Sequence, residues 1–209
     1  MEMMNSANNV KRFAGLDLAR IKDYSALVVI EVNNSIDSSN DDQGKTMTVV
    51  DAIEYPHIPL EDVAERIKGK YEEHRWSLLY IDATGFGGAV AYDILAAKNI
   101  PCRYIIFTNG MKNEMINNLI TLIAGKRLKI PREYDRLIEQ LLQQRRIVTS
   151  SSVKYEHPVG KHDDLFWALC LACIACKDAM DNEFIITSKK FSIKENLYGN
   201  YDAIHFREW

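Results

Sequence analysis

Apolar and polar positions fall into three strand-like stretches near the start of the chain. Residues 12–19 (R-F-A-G-L-D-L-A) predict a first strand, and residues 25–32, an almost unbroken aliphatic run, a second. Residues 46–55 predict a third. The polar segment 20–24 suits a hairpin connection, and residues 33–45, rich in Asn, Ser, Asp, Gln and Gly, suit a long hairpin tip. Three strands without intervening helices predict an antiparallel meander. The period then changes. Residues 59–74 place Val63, Ile67 and Tyr71 four apart, as on one face of a helix that Pro59 and acidic residues open. A short buried strand follows at 77–81, ending at Asp82, then a helix at 85–98 and a strand at 102–107. Helices are predicted at 113–124 and 132–144, a hairpin from 146–150 and 153–157, and a last strong helix at 163–179. The order is βββ, then αβαβ, then helices. It defines an α/β fold with a mixed sheet and helices against its faces. Residues 1–180 read as one domain, and 181–209, where periodicity fades, as a C-terminal tail.

Composition narrows the class. With 47% apolar and 26% charged residues, the 209-residue chain is neither disordered, collagenous nor a disulfide scaffold. The longest apolar run, 12 residues at 165–176, is shorter than the ~18 a membrane span needs. The first ten residues lack an apolar signal region, so neither secretion nor a membrane is expected. Cys170, Cys173 and Cys176 have the spacing of a metal knuckle, but their segment contains no Gly, Pro or turn residue to wrap around an ion. A buried helix face in a reducing compartment is the better reading. At net charge −3 and pI near 6.0, binding to nucleic acid requires a local basic patch. Candidates are Lys126, Arg127 and Lys129, then Arg145 and Arg146, then Lys189 and Lys190.

The informative residues are acids at element ends. Asp17 interrupts an apolar strand, Asp82 closes the fourth strand, and Asp163 and Asp164 open the last helix. Singly, each has an ordinary explanation as a turn residue, a cap or a helix-dipole partner. A carboxylate in a central strand is nevertheless costly unless paired or ligated, and converging carboxylates repel. A divalent cation removes that penalty; hard oxygens suit Mg²⁺, and two ions can serve an in-line phosphoryl displacement. Lys161 is placed to neutralise a phosphate. His162 fits either a contact to metal-bound water or phosphate, or packing at the helix start. Asp23 fits either an ordered site loop or a turn bonded to its own backbone. Thr84, Gly85 and Gly87 fit either a phosphate-facing helix start or tight strand–helix packing.

The segments at 15–19 (G-L-D-L-A), 22–26 (K-D-Y-S-A), 80–87 (Y-I-D-A-T-G-F-G), 107–112 (F-T-N-G-M-K) and 160–164 (G-K-H-D-D) together resemble the nuclease domain of the viral terminase large subunit, of the tailed-bacteriophage type. The resemblance implies an RNase H-like sheet: a three-strand antiparallel meander followed by parallel strands. It implies that Asp17, Asp82 and the Asp163/Asp164 pair bind Mg²⁺ or Mn²⁺, with either member of the pair open as the direct ligand. It also implies an endonuclease cutting concatemeric double-stranded DNA during genome packaging in the host cytoplasm, beside a terminase ATPase domain, a small subunit and a portal. A Holliday-junction resolvase or a non-catalytic packaging module are the alternatives. No ATP site is expected here: the run Gly44, Lys45, Thr46 ends like a phosphate loop but leads into a strand, not a helix.

Overall fold

The protein is described by a computed structural model, in which residues 10–18, 24–33, 45–56, 58–84, 86–148, 153–158 and 161–186 are placed. Asp23, Gly85, Lys189, Lys190 and most of both predicted hairpin connections lie outside these residues. Strands β1 (Lys11–Asp17), β2 (Ser25–Asn33) and β3 (Thr46–Tyr55) form the expected meander. Helix α1 (Leu60–His74), strand β4 (Leu78–Asp82), helix α2 (Phe86–Ala97) and strand β5 (Cys102–Ile105) follow. Next come α3 (Asn109–Ala124), β6 (Leu128–Lys129), α4 (Asp135–Gln143), the hairpin β7 (Arg145–Val148) and β8 (Val153–Glu156), and α5 (Asp164–Ile186). The six-stranded sheet runs β5-β4-β1-β2-β3-β6, with β1 antiparallel to β2 and parallel to β4. The mixed sheet predicted from the sequence is present.

Side-chain alternation sorts β1 between two faces. Ala14 and Leu16 join Leu27, Val29, Leu79 and Ile81 in a core closed by Val63 and Ile67 of α1 and Leu95 of α2. Gly15 points the other way, against α5. A Cβ there would lie 2.1 Å from the Ala168 carbonyl oxygen and 2.5 Å from the Ala172 nitrogen, so only glycine lets α5 lie this close to the sheet. Leu165 to Cys176 of α5 are buried throughout, which explains why that stretch shows no polar face.

Local chemistry moved several boundaries. α3 starts at Asn109, four residues before the apolar periodicity does, because the Thr108 side chain caps it by accepting from the Met111 nitrogen at 3.1 Å. β6 was not foreseen; two residues are too few to show a period, and the strand exists only because β3 lies beside it. β5 ends at Ile105, two residues early, and α5 runs on to Ile186, past the expected end near Met180. By contacts the chain divides into two compact units, residues 1–177 and 178–209, and in the second the described residues are the last turns of α5.

Candidate active site

The parallel pairing of β1 and β4 sets Leu16 beside Ile81, so the next residues, Asp17 and Asp82, end neighbouring interior strands at the same end of the sheet. Asp17 lies on the same alternation face as Gly15, the face against which α5 packs, and Asp163 and Asp164 stand at the start of that helix. The four predicted acids therefore converge. Asp17 is half-buried as a residue, with its carboxyl sunk among protein atoms. Burial pushes that carboxyl well above the usual carboxylate range, and the charges of Asp82, Asp164 and Asp163, in that order, push it further; Lys112 pulls it back.

Each acid is held. Thr84 binds Asp82 Oδ1 through its backbone nitrogen at 2.7 Å and its hydroxyl at 2.5 Å. The same hydroxyl accepts from the Phe107 nitrogen at 2.6 Å, tying Asp82 to the β5–α3 connection. Asp163 Oδ2 accepts from the Trp167 indole at 2.9 Å, and its Oδ1 lies 3.6 Å from His157 Nε2. Asp164 is 8% exposed, with Oδ2 3.8 Å from His162 Nδ1. His162 meets Tyr24 edge-on, with ring centroids 5.2 Å apart. The start of α5 is fixed from α4: the Gln140 carbonyl oxygen accepts from the Leu165 and Phe166 nitrogens at 2.8 and 3.2 Å. Gln140, 5% exposed, in turn donates to Glu54 of β3 at 2.7 Å.

Other predicted groups are placed differently. Lys161 is exposed, and its ammonium pairs with Glu139 of α4 at 3.2 Å; among the described residues, the cation that acts on Asp17 is Lys112. Gly87 faces open space, whereas Gly88 is the glycine that permits close packing, since a Cβ there would meet the Ala83 Cα at 2.2 Å. Sequence reasoning missed Lys112, Gln140 and Trp167 as groups around the acids. Lys112 sat inside a quoted motif, but nothing local marks a glutamine or tryptophan on an apolar helix face. Cys170, Cys173 and Cys176 are buried on α5, and burial raises their thiols, Cys176 to about 12, so they stay protonated and are poor ligands.

A second cluster competes on geometry. Among the described residues, Asp51, Glu73 and His74 form the one group of three ligand atoms lying within 4.8 Å of one another; the four acids at the end of the sheet stand wider. A cation already fills it: Lys70 Nζ lies 2.9 Å from both Asp51 Oδ2 and Glu73 Oε2, and His74 Nε2 lies 2.9 Å from the same Asp51 oxygen. Lys70 is accordingly held above its ordinary pKa by those hydrogen bonds. Among the described residues, the acids at the ends of β1, β4 and the start of α5 repel one another and Lys112 is the cation that acts on Asp17. They suit hard divalent ions by donor chemistry, and the Asp51 cluster does not need one.

Acids thus stand at the ends of β1 and β4 and at the start of the last helix of a mixed sheet. A profile of the terminase RNase H-like domain matches residues 14–175, and the chain belongs to that family. Among solved structures, the large terminase nuclease from thermophilic phage G20c with bound magnesium superposes with a TM-score of 0.66 at 20% identity, covering 79% of this chain and 82% of that one. The Thermus phage P74-26 large terminase nuclease domain gives 0.63 at 20% identity, covering 78% of each. The HK97 bacteriophage large terminase gives 0.58 at 14% identity, with 78% of this chain matching 39% of that protein. At these identities the likeness establishes the fold. No curated protein matches the chain.

Proposed function

We propose that this chain is a metal-dependent endonuclease that cuts concatemeric viral DNA during genome packaging, with residues 1–180 as its catalytic domain. One observation carries the reading: Asp17, Asp82, Asp163 and Asp164, from three separate elements, come close enough for the last three to raise the first. Such repulsion is kept where a bound cation relieves it. The donors are all carboxylates, which fits Mg²⁺ or Mn²⁺, and the G20c relative was crystallised with magnesium. When bound, two such ions would supply an activated water and stabilise the leaving oxygen of a phosphodiester.

The chain's own residues would hold and orient. Asp17, Asp82, Asp163 and Asp164 are the carboxylates that would hold the ions. Thr84 and Trp167 keep Asp82 and Asp163 from rotating away, and Gln140 fixes the first turn of α5. The substrate would be double-stranded DNA. The partners would be a terminase ATPase domain, the small subunit and the portal, in the host cytoplasm. Among the described residues no helix is long and apolar enough to cross a membrane.

The test is digestion of supercoiled plasmid and of a four-way junction with Mg²⁺, Mn²⁺ or EDTA. Nicking of plasmid that EDTA abolishes is expected. Cleavage confined to the junction would make the chain a resolvase, and no cleavage with any divalent ion would overturn the enzymatic reading.

A further inference from the structure

We propose that Lys112 is the residue that receives a DNA phosphate at this site, a role the sequence pattern assigned to Lys161. The inference rests on the nuclease reading above and adds a substrate contact to it. Lys112 Nζ sits 4.8 Å from the centre of the Trp167 ring and 5.6 Å from that of Phe107, and the two rings pack 5.2 Å apart. These rings belong to the acids' own supports. Trp167 donates to Asp163, and the backbone of Phe107 donates to the threonine that holds Asp82. The ammonium is therefore fixed between the β4 and α5 sides of the acid cluster, with Asp17 within its field.

Lys112 lies in the first turn of α3, where no acidic residue is present and where the helix dipole disfavours a cation. A platform of two aromatic faces restrains the lysine by cation–π attraction while leaving its N–H donors to other acceptors. Lys161, exposed and engaged by Glu139, has no comparable platform among its recorded contacts.

The experiment measures binding as well as cleavage. Anisotropy of a labelled duplex in Ca²⁺ over a range of salt concentrations is compared for the wild type, Lys112→Met, Lys112→Gln and Lys112→Arg, with folding checked by circular dichroism. Loss of one charged phosphate contact should weaken binding roughly 10-fold in the Met and Gln variants. It should also lower the slope of log affinity against log salt by about one, with Arg restoring most of both. The Mg²⁺ concentration that half-saturates nicking should not move. Met and Gln variants that bind DNA with wild-type affinity and slope would overturn the proposal. So would a changed Mg²⁺ requirement with unchanged DNA binding, which would make Lys112 an internal counter-ion. A wild type that binds DNA through Lys112 but cuts nothing would sink the nuclease reading and leave this contact standing.

Discussion

Two clusters of acidic residues in this molecule have opposite electrostatics. At Asp51, Glu73 and His74, the acids surround the Lys70 ammonium at 2.9 Å and each charge is answered within the protein. At the end of the sheet, Asp17 meets three further acids and one lysine, and its carboxyl is driven upward as a result. The tighter cluster encloses an internal cation, and the looser, repulsive cluster is the one the proposed chemistry uses. Ligand spacing alone would have ranked them the other way, because an internal cation has already drawn the first group together.

The largest effect expected is on cleavage. Asp82→Ala or Asp17→Ala should lower plasmid nicking by at least ~10²-fold, since charge stabilisation and metal positioning go together. Asp51→Ala should leave nicking within a few-fold of wild type. Equal losses in a nicking assay would erase the distinction between the clusters.

Stability should reverse the order. Asp51→Asn strips a charged acceptor from both Lys70 and His74 in a largely buried setting, a cost of about 1–3 kcal/mol. In a domain of this size that lowers the melting temperature by a few degrees to about 10 °C. An unchanged melting curve would show that the pairing around Lys70 contributes nothing net.

The smallest effect is the most diagnostic. The folded-state pKa of Asp17 is raised, so its contribution to stability is fully present below the unfolded value near ~3.9 and is lost as pH rises towards the folded value. In EDTA, Asp17→Asn should therefore melt higher than wild type, by a margin that grows from about pH 4 upward. Mg²⁺ should shrink the margin. Calorimetry finding Asp17→Asn less stable at neutral pH in EDTA would mean that Asp17 is held by bonds rather than strained by its neighbours.

Much of this was readable from the chain. The β-branched run of β2, the four-residue spacing of Val63, Ile67 and Tyr71 in α1, and the acids at Asp17, Asp82, Asp163 and Asp164 all announce themselves locally. Three features did not. Gln140 looks like any polar residue on an amphipathic helix until α5 places two backbone nitrogens against it. β6 is invisible without β3, and the place of Lys112 depends on two aromatic rings, one of them 55 residues further along.

The sequence by itself determined the elements, the order of the strands in the meander, and which carboxylates stand at element ends. Period, turn chemistry and the cost of a charge in an apolar strand act within a few residues and can be read there. Only the tertiary structure decided which acids meet, which lysine faces them, and which cluster already holds its cation. Those outcomes depend on the parallel register of β1 with β4 and on the close approach that Gly15 grants α5. Coulomb forces act through distances in space, and no spacing along a chain records them.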